Sequence, residues 1–275
     1  MKTILILCVN YNSYKELNNY LQSIERAARV ASEFVRVDVW IGDNTTANQQ
    51  PISIDYDYVC VRVFPYYQNL GYMGCAISMF HEISQDQANK YDFVFISNVD
   101  LLLSETFFIE LNAIESKTAG WIVPSVYTIG TRKNENPFML ARPTRLKMFL
   151  LQMLYSFPLL YGLYEFIYRF RHKERNLLTN QEQSRTIYAG HGSIMIFTKQ
   201  FVLDNLDMSF PSFMYGEEIY VAELVRQYHL TTEYYPQLVV HNIGNVSTKF
   251  LGNRRKCQMS KESLSAIRHL FFEAH

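Results

Sequence analysis

The chain has no surplus of charge of either sign: Lys and Arg number 26, Asp and Glu number 26, and the formal net charge is zero. Holding nucleic acid through bulk positive charge needs a basic excess, so no nucleic-acid partner is expected. Cysteine is sparse. Its four copies, Cys8, Cys60, Cys75 and Cys257, lack the paired spacing that builds zinc sites. Cys8 and Cys60 fall in stretches expected to be buried strands, so the thiols read as reduced and the protein as cytoplasmic. No small-residue cleavage site follows the opening run Lys2–Val9, which stops at Asn10 and reads as a first strand rather than a secretory signal. No G-x-G-x-x-G follows that strand, which disfavours a nicotinamide or flavin enzyme. No G-x-x-x-x-G-K followed by Ser or Thr occurs either, which disfavours a P-loop hydrolase. Internal repeats and low-complexity segments are also missing.

What the chain does have is length and aromatic mass. Its 275 residues can bury a full core as one large domain or two fused lobes. The 20 Tyr, 19 Phe and 2 Trp suit a large core, carbohydrate surfaces and membrane interfaces alike. Apolar runs alternate with helical periodicity. Strands are expected at Thr3–Val9, Val35–Ile41, Tyr58–Phe64, Asp92–Ile96 and Gly120–Pro124. Helices are expected after Ser13 to about Ala31, from the Asn69–Gly74 run to about Gln85, and from Glu105 to Ser116. Ser13 with Glu16 reads as a capping box. This β-α alternation predicts an α/β fold with a Rossmann-like, mostly parallel central sheet flanked by helices.

The organising stretch is Tyr91–Leu103. Its strand, nearly continuous in apolar residues, ends abruptly in Ser97-Asn98-Val99-Asp100. In open α/β sheets ligands bind beyond the carboxyl ends of strands. Asp100 is therefore placed for a hard cation or a ribose hydroxyl, or else caps the helix near Ser104. The other strand ends are also polar: Asn10 and Asn12 after the first, Asp43 and Asn44 after the second.

Val9-Asn-Tyr-Asn12, Gly42-Asp-Asn-Thr45, Gln68-Asn-Leu-Gly-Tyr-Met-Gly74 and Ser97-Asn-Val-Asp100 together resemble the nucleotide-sugar half of family 2 glycosyltransferases, which have the GT-A fold. Ala189-Gly-His-Gly-Ser193, Phe213-Met-Tyr-Gly-Glu-Glu218 and His241-Asn-Ile-Gly244 continue the resemblance in order along the chain. The Asn-x-Asp form is similar to that of bacterial enzymes, rhamnosyltransferase-like among them, that build surface polysaccharides. The resemblance implies a single GT-A domain over 1–275. Residues 1–120 would bind the nucleotide sugar and 121–275 the acceptor.

It also implies roles. Asp100 and His241 would hold Mn²⁺ or Mg²⁺, the imidazole favouring Mn²⁺. Asn98 stands where many relatives have Asp, and as an amide it can bind ribose or a metal-bound water without adding charge. Asp43 resembles the acceptor for a nucleobase imide, favouring UDP- or dTDP-sugars; its plain alternative is a turn-forming residue ahead of Asn44. Asn10 and Tyr11 would wall the base pocket. Asn69, Gly71 and Gly74 would let backbone approach the ribose and diphosphate. Glu217 or Glu218, beginning a helix, would supply the base, with Glu218 matching the family's position; either also complements the helix dipole. Relatives often carry Asp where this chain has Tyr220.

The reaction implied is inverting transfer of a sugar to a hydroxyl of a glycan or lipid-linked acceptor in surface polysaccharide synthesis. A sugar-nucleotide pyrophosphorylase would need a Gly-rich basic loop after the first strand, which Asn10–Ser13 does not supply. A degenerate GT-A module, binding nucleotide sugar or glycan without turnover, is the alternative from another class.

One segment departs from the pattern. Residues 142–175 are apolar with basic flanks, and a helical apolar insert is expected at about 143–178. Residues 146–168 are long enough to span a bilayer, but Asp100 and Glu218 flank them and must share one site, and Pro158 and Gly162 interrupt them. A helix pair lying in the membrane interface, on the inner face of the cell membrane, is one reading; packing on the protein's own core or on a partner chain is the other.

Overall fold

The computed structural model describes residues 1–131, 133–162, 183–244 and 252–273. The expected insert is therefore seen only in part, and residues 163–182 lie outside the described residues.

The architecture follows from one property of the first strand. β1 (Lys2–Asn10) is buried from Ile4 to Asn10, and successive side chains point to opposite faces of the sheet. Leu5, Leu7 and Val9 enter a core with Met73, Phe80 and Trp121. Ile4, Ile6 and Cys8 enter a separate core with Leu17, Tyr20, Ile24 and Phe107. A strand buried on both faces must have helices on both sides, which is why its sequence lacks polar alternation. On one side lies α1 (Tyr14–Val30). Its Tyr20 hydroxyl donates to Ser97 Oγ at 2.9 Å, fastening the helix to the end of the central strand. On the other side lies α2 (Tyr72–His81).

β2 (Val35–Asp43), β3 (Val59–Pro65) and β4 (Phe93–Asn98) join β1 in the parallel order β3-β2-β1-β4. The register pairs Asn10 with Asp43 and Val9 with Asn98, so the polar strand ends share one carboxyl edge. Chain order reverses about β1, which makes this edge a topological switch point. Beyond β4 the ten-stranded sheet becomes mixed. β9 (Ile194–Thr198) runs antiparallel between β4 and β6 (Ala119–Thr128). β10 (Thr231–Asn242) is parallel to β6 and antiparallel to β5 (Leu101–Leu103) and β8 (Arg185–Ile187). β7 (Lys133–Asn134) pairs with β6.

Several sequence expectations change. Ser13 forms no side-chain cap, because its hydroxyl turns to the Tyr11 carbonyl at 3.1 Å. A capping box forms instead at Ser84 and Gln87, opening the short α3 (Gln85–Ala88) after α2 has ended at His81. α4 is only Phe107–Asn112, and between it and Asp100 lies β5, so Asp100 caps no helix. Cys60 is exposed, since β3 is an edge strand covered on one face only. Further helices are α5 (Arg145–Tyr155), α6 (Lys199–Asp204), α7 (Glu217–Gln227) and α8 (Asn253–Arg268).

Candidate active site

Asp43 ends β2 almost fully buried and must be satisfied there. Its Oδ1 accepts from Asn10 Nδ2 and from the Thr45 N–H, each at 3.1 Å. Its Oδ2 accepts from the Tyr14 hydroxyl at 2.9 Å. The bond to Thr45 is an Asx turn, so the turn-forming role exists in fact. Oδ2, with one partner, keeps acceptor capacity for a further N–H. Tyr11 follows Asn10 at the same edge, half-buried.

The Asn69–Gly74 loop is held from within. Asn69 Oδ1 accepts from the Gly71 N–H at 3.0 Å, and Asn44 Nδ2 donates to the Gly71 carbonyl at 2.9 Å. Gly71 adopts φ +76°, and a Cβ there would lie 2.2 Å from the Phe213 carbonyl oxygen. Only glycine allows this loop to seat against Phe213-Met-Tyr-Gly216. Gly74 is different: a Cβ would meet nothing closer than Leu70 at 3.6 Å.

At the end of β4 the Asn98 N–H donates to the Ser193 carbonyl at 2.9 Å. Asp100 follows, 8 % exposed, and its carbonyl accepts from the Ile243 N–H at 2.9 Å. His241 pairs with Leu102 on the adjoining ladder, two residues beyond Asp100 in the chain. His241 is exposed, with the Tyr127 ring beside it at a centroid separation of 6.3 Å.

Glu217 and Glu218 open α7 behind Gly216, which has φ +85°. A Cβ at Gly216 would fall 2.7 Å from Ser263 Oγ, and that hydroxyl in turn donates to the Tyr215 carbonyl. The acidic turn is thus pressed against α8. Glu217 folds back to accept the Tyr215 N–H at 3.1 Å. Burial, and then the charge of Glu218, push its carboxyl from the ordinary 4.5 up to about 8. Glu218 reaches the other way and accepts the Gly192 N–H at 3.3 Å. Burial thus disfavours the charged form of Glu217, while Glu218 faces the small-residue run.

Tyr72, which sequence reasoning did not single out, ties these pieces together. Its hydroxyl donates to the Gly192 carbonyl at 2.9 Å. Burial first, then the charges of Glu217, Tyr20, Glu218 and Asp100, hold its ionisation well above the ordinary tyrosine value. Asp100, Glu217 and Glu218 therefore all lie within electrostatic reach of one hydroxyl. Tyr72 sits inside the Asn69–Gly74 run, but nothing local marks it as more than a helix-opening aromatic. Tyr220 takes no part in the site: its hydroxyl donates to the Ser209 carbonyl and its ring packs on Phe210 and Phe271.

Among the described residues, no three His, Cys, Asp or Glu side chains gather as a metal site. Cations that serve phosphates commonly take one or two protein ligands and leave the other positions to phosphate oxygens and water. One carboxylate and one imidazole at the same sheet edge fit that chemistry and do not fit a closed structural cage.

No protein-family model matches the sequence, and no curated protein matches it. Solved structures do resemble the fold. GalNAc-T7, crystallised with UDP, GalNAc and Mn²⁺, superposes with a TM-score of 0.57 at 11% identity over 98% of this chain. S. aureus TarS in complex with UDP-GlcNAc gives 0.50 at 11% identity over 92% of this chain. The chain corresponds to 48% of the GalNAc-T7 chain and 62% of the TarS fragment 1–349. This is the GT-A glycosyltransferase fold.

Proposed function

We propose that the chain is an inverting glycosyltransferase. It would move a sugar from a UDP- or dTDP-sugar to a hydroxyl of a glycan or lipid-linked acceptor, in surface polysaccharide synthesis in the cytoplasm. The observation that carries this is that Tyr72 and Glu218 both bind Gly192 beside the end of β4, with Asp100 within electrostatic reach of Tyr72 and the Asn10–Asp43 pair at the switch point of the same sheet. Nucleotide-sugar transfer needs both ends of that arrangement.

Asp43 and Asn10 receive the base, with the open acceptor capacity of Asp43 matched to a uracil or thymine imide. Tyr11 walls the base pocket. The Asn69–Gly71 backbone and Asn98 line the path of the ribose and diphosphate. Asp100 and His241 would hold Mn²⁺ or Mg²⁺, which when bound neutralises charge developing on the departing diphosphate. Glu218 takes the proton of the incoming hydroxyl as the new C–O bond forms at the anomeric carbon and the bond to the diphosphate breaks. Glu217, turned toward Tyr215, positions the first turn of α7 without competing for that proton. A single displacement of this kind inverts the anomeric centre.

A module that binds without turnover is the second reading. It is favoured by Asn98 in place of a second carboxylate and by Tyr220 being turned into the core.

Calorimetric titration of UDP, dTDP and GDP, with and without Mn²⁺, separates the readings when combined with turnover of Glu218→Gln. The expected result is metal-dependent binding of a pyrimidine diphosphate, lost in Asp100→Ala. Glu218→Gln should keep that binding and lose turnover by about 10²-fold or more. Nucleotide binding by the unaltered chain without diphosphate release from any donor would favour the module. Absence of nucleotide binding would overturn the transferase and any nucleotide-sugar-binding module.

A further inference from the structure

The run Ala189-Gly-His-Gly-Ser193 is packed from both sides. A Cβ at Gly190 would fall 2.6 Å from the Val123 side chain, and one at Gly192 would fall 2.8 Å from Glu218 Oε1. Ala189 and Ser193 are buried. His191 is thus the one large side chain of the run, and it is half-buried. The peptide that joins it to Gly192 is the one whose N–H Glu218 accepts. Against this run lies the segment that follows β7. Asn136, almost fully buried, donates from Nδ2 to the Pro124 carbonyl at 2.8 Å and accepts the His191 N–H on Oδ1 at 2.7 Å. Met139 exchanges backbone hydrogen bonds with Ala189 at 2.9 and 3.1 Å. Phe138, between these two fastenings, is 46 % exposed. Its ring meets the His191 ring edge to face, with centroids 5.8 Å apart and planes at 83°.

The hydrogen bonds of the imidazole fix where its proton sits. Nδ1 lies 2.9 Å from Ser193 Oγ and 3.3 Å from the Ser193 backbone nitrogen. A backbone N–H can only donate, so Nδ1 is the acceptor and the neutral ring carries its hydrogen on Nε2. No group among the described residues bonds Nε2, and it is not sealed from solvent. An exposed phenylalanine by itself needs no explanation. Beside a preset N–H donor it has one, because small-molecule sites combine apolar area with a few placed polar groups that fix orientation. A sugar ring calls for both. Its C–H face is apolar and packs on aromatic rings, while the hydroxyls at its rim take hydrogen bonds.

We propose that Phe138 and His191 form a subsite for one pyranose ring, which packs on Phe138 while one of its hydroxyl oxygens accepts the Nε2–H of His191. Asn136 is the positioning residue: its amide ties the His191 backbone to the Pro124 carbonyl of β6 and so holds the two rings together. The ring held is the transferred sugar or the acceptor sugar, since the peptide after His191 is the one bound to Glu218. That placement rests on the glycosyl-transfer reading; the sugar subsite itself does not.

The test compares the intact chain with Phe138→Ala, His191→Phe and His191→Gln, with folding verified by thermal unfolding. His191→Phe keeps a ring and loses the donor, whereas His191→Gln keeps an N–H donor. One arm measures by calorimetry, with Mn²⁺ present, the affinity of UDP-glucose, UDP-N-acetylglucosamine and dTDP-glucose relative to UDP and dTDP. The other follows binding of methyl β-glucoside, methyl β-galactoside and methyl β-N-acetylglucosaminide by saturation-transfer NMR. The expected result is a loss of about three- to tenfold in one arm for Phe138→Ala and for His191→Phe, with partial rescue by His191→Gln. The affinity for UDP and dTDP alone should be unchanged. A loss in the nucleotide-sugar arm assigns the subsite to the transferred sugar, and a loss in the glycoside arm assigns it to the acceptor sugar. No loss in either arm, or an equal loss for UDP and dTDP alone, would overturn the proposal. Glycoside binding that needs Phe138 and His191, in a chain that binds no nucleotide, would keep the subsite and overturn the transferase reading. Nucleotide binding and turnover unchanged by all three variants would do the reverse.

Discussion

The Tyr72 hydroxyl and the Gly192 carbonyl are joined by a 2.9 Å hydrogen bond across 120 residues of chain. The same Gly192 offers its N–H to Glu218. α2 therefore fixes the residue whose N–H holds Glu218, the candidate base. Tyr72→Phe should lower turnover about three- to tenfold, as expected for one hydrogen bond, with nucleotide affinity little changed. Steady-state kinetics alongside nucleotide titration checks this; an equal loss in nucleotide affinity would mean that Tyr72 serves the donor pocket instead.

Glu217 makes stability depend on pH in a defined direction. Its carboxyl titrates near 4.5 in an unfolded chain and is pushed up to about 8 by burial and by Glu218. Between those values the folded state holds a proton that the unfolded state has released. The contribution is whole below about pH 4.5 and is lost as pH rises through about 8. Glu217→Gln should remove this slope, so that the variant gains on the original protein as pH rises from 5 to 8. Thermal unfolding across that range measures it, and parallel curves would contradict it.

Gly71 carries both a left-handed backbone and the seat of a neighbouring loop. Gly71→Ala faces the strain at φ +76° and a contact of 2.2 Å with the backbone of Phe213. It should destabilise the protein by about 2 kcal/mol or more and weaken nucleotide binding. Gly74→Ala, with 3.6 Å to its nearest neighbour, should be nearly neutral in stability. Denaturant unfolding of the two variants compares them directly.

Exposed Arg142 and buried Glu223 form an ion pair that Tyr188 completes, its hydroxyl donating to Glu223 Oε1 at 2.7 Å. Burial first, then this contact with Glu223, push the Tyr188 hydroxyl far above its ordinary ionisation. Arg142→Ala leaves the buried carboxylate with only the Tyr188 hydroxyl and the longer Arg226 contact at 3.9 Å, and should cost about 1–2 kcal/mol. The double change Arg142→Met/Glu223→Leu should recover much of that, since an apolar pair of similar volume leaves no charge buried. Thermal unfolding of both variants decides the point.

The parallel half of the fold was legible because its signals are local. A run such as Ile4–Val9 can be buried on both faces only in a covered sheet, and polar residues at the strand ends need nothing but their place in the run. Asn10, Asp43, Asn98 and Asp100 could be put at one edge for that reason. The capping box at Ser13 misled because a serine three residues before a glutamate states a possibility, which a nearer carbonyl pre-empted. The exposure of Cys60 depended on strand order, which β3 does not encode by itself.

By itself, then, the sequence determined the alternation of elements, the two-faced burial of β1 and the polar ends of its parallel neighbours, since each follows from the period and termination of a short run. Only the tertiary structure decided that β9 enters antiparallel between β4 and β6, that Tyr72 meets Gly192, that Gly71 meets Phe213, and that burial raises the Glu217 carboxyl while Glu218 binds Gly192. These are relations between surfaces brought together by packing. Their energies depend on neighbours far away in the chain, and no local pattern of residues can carry that information.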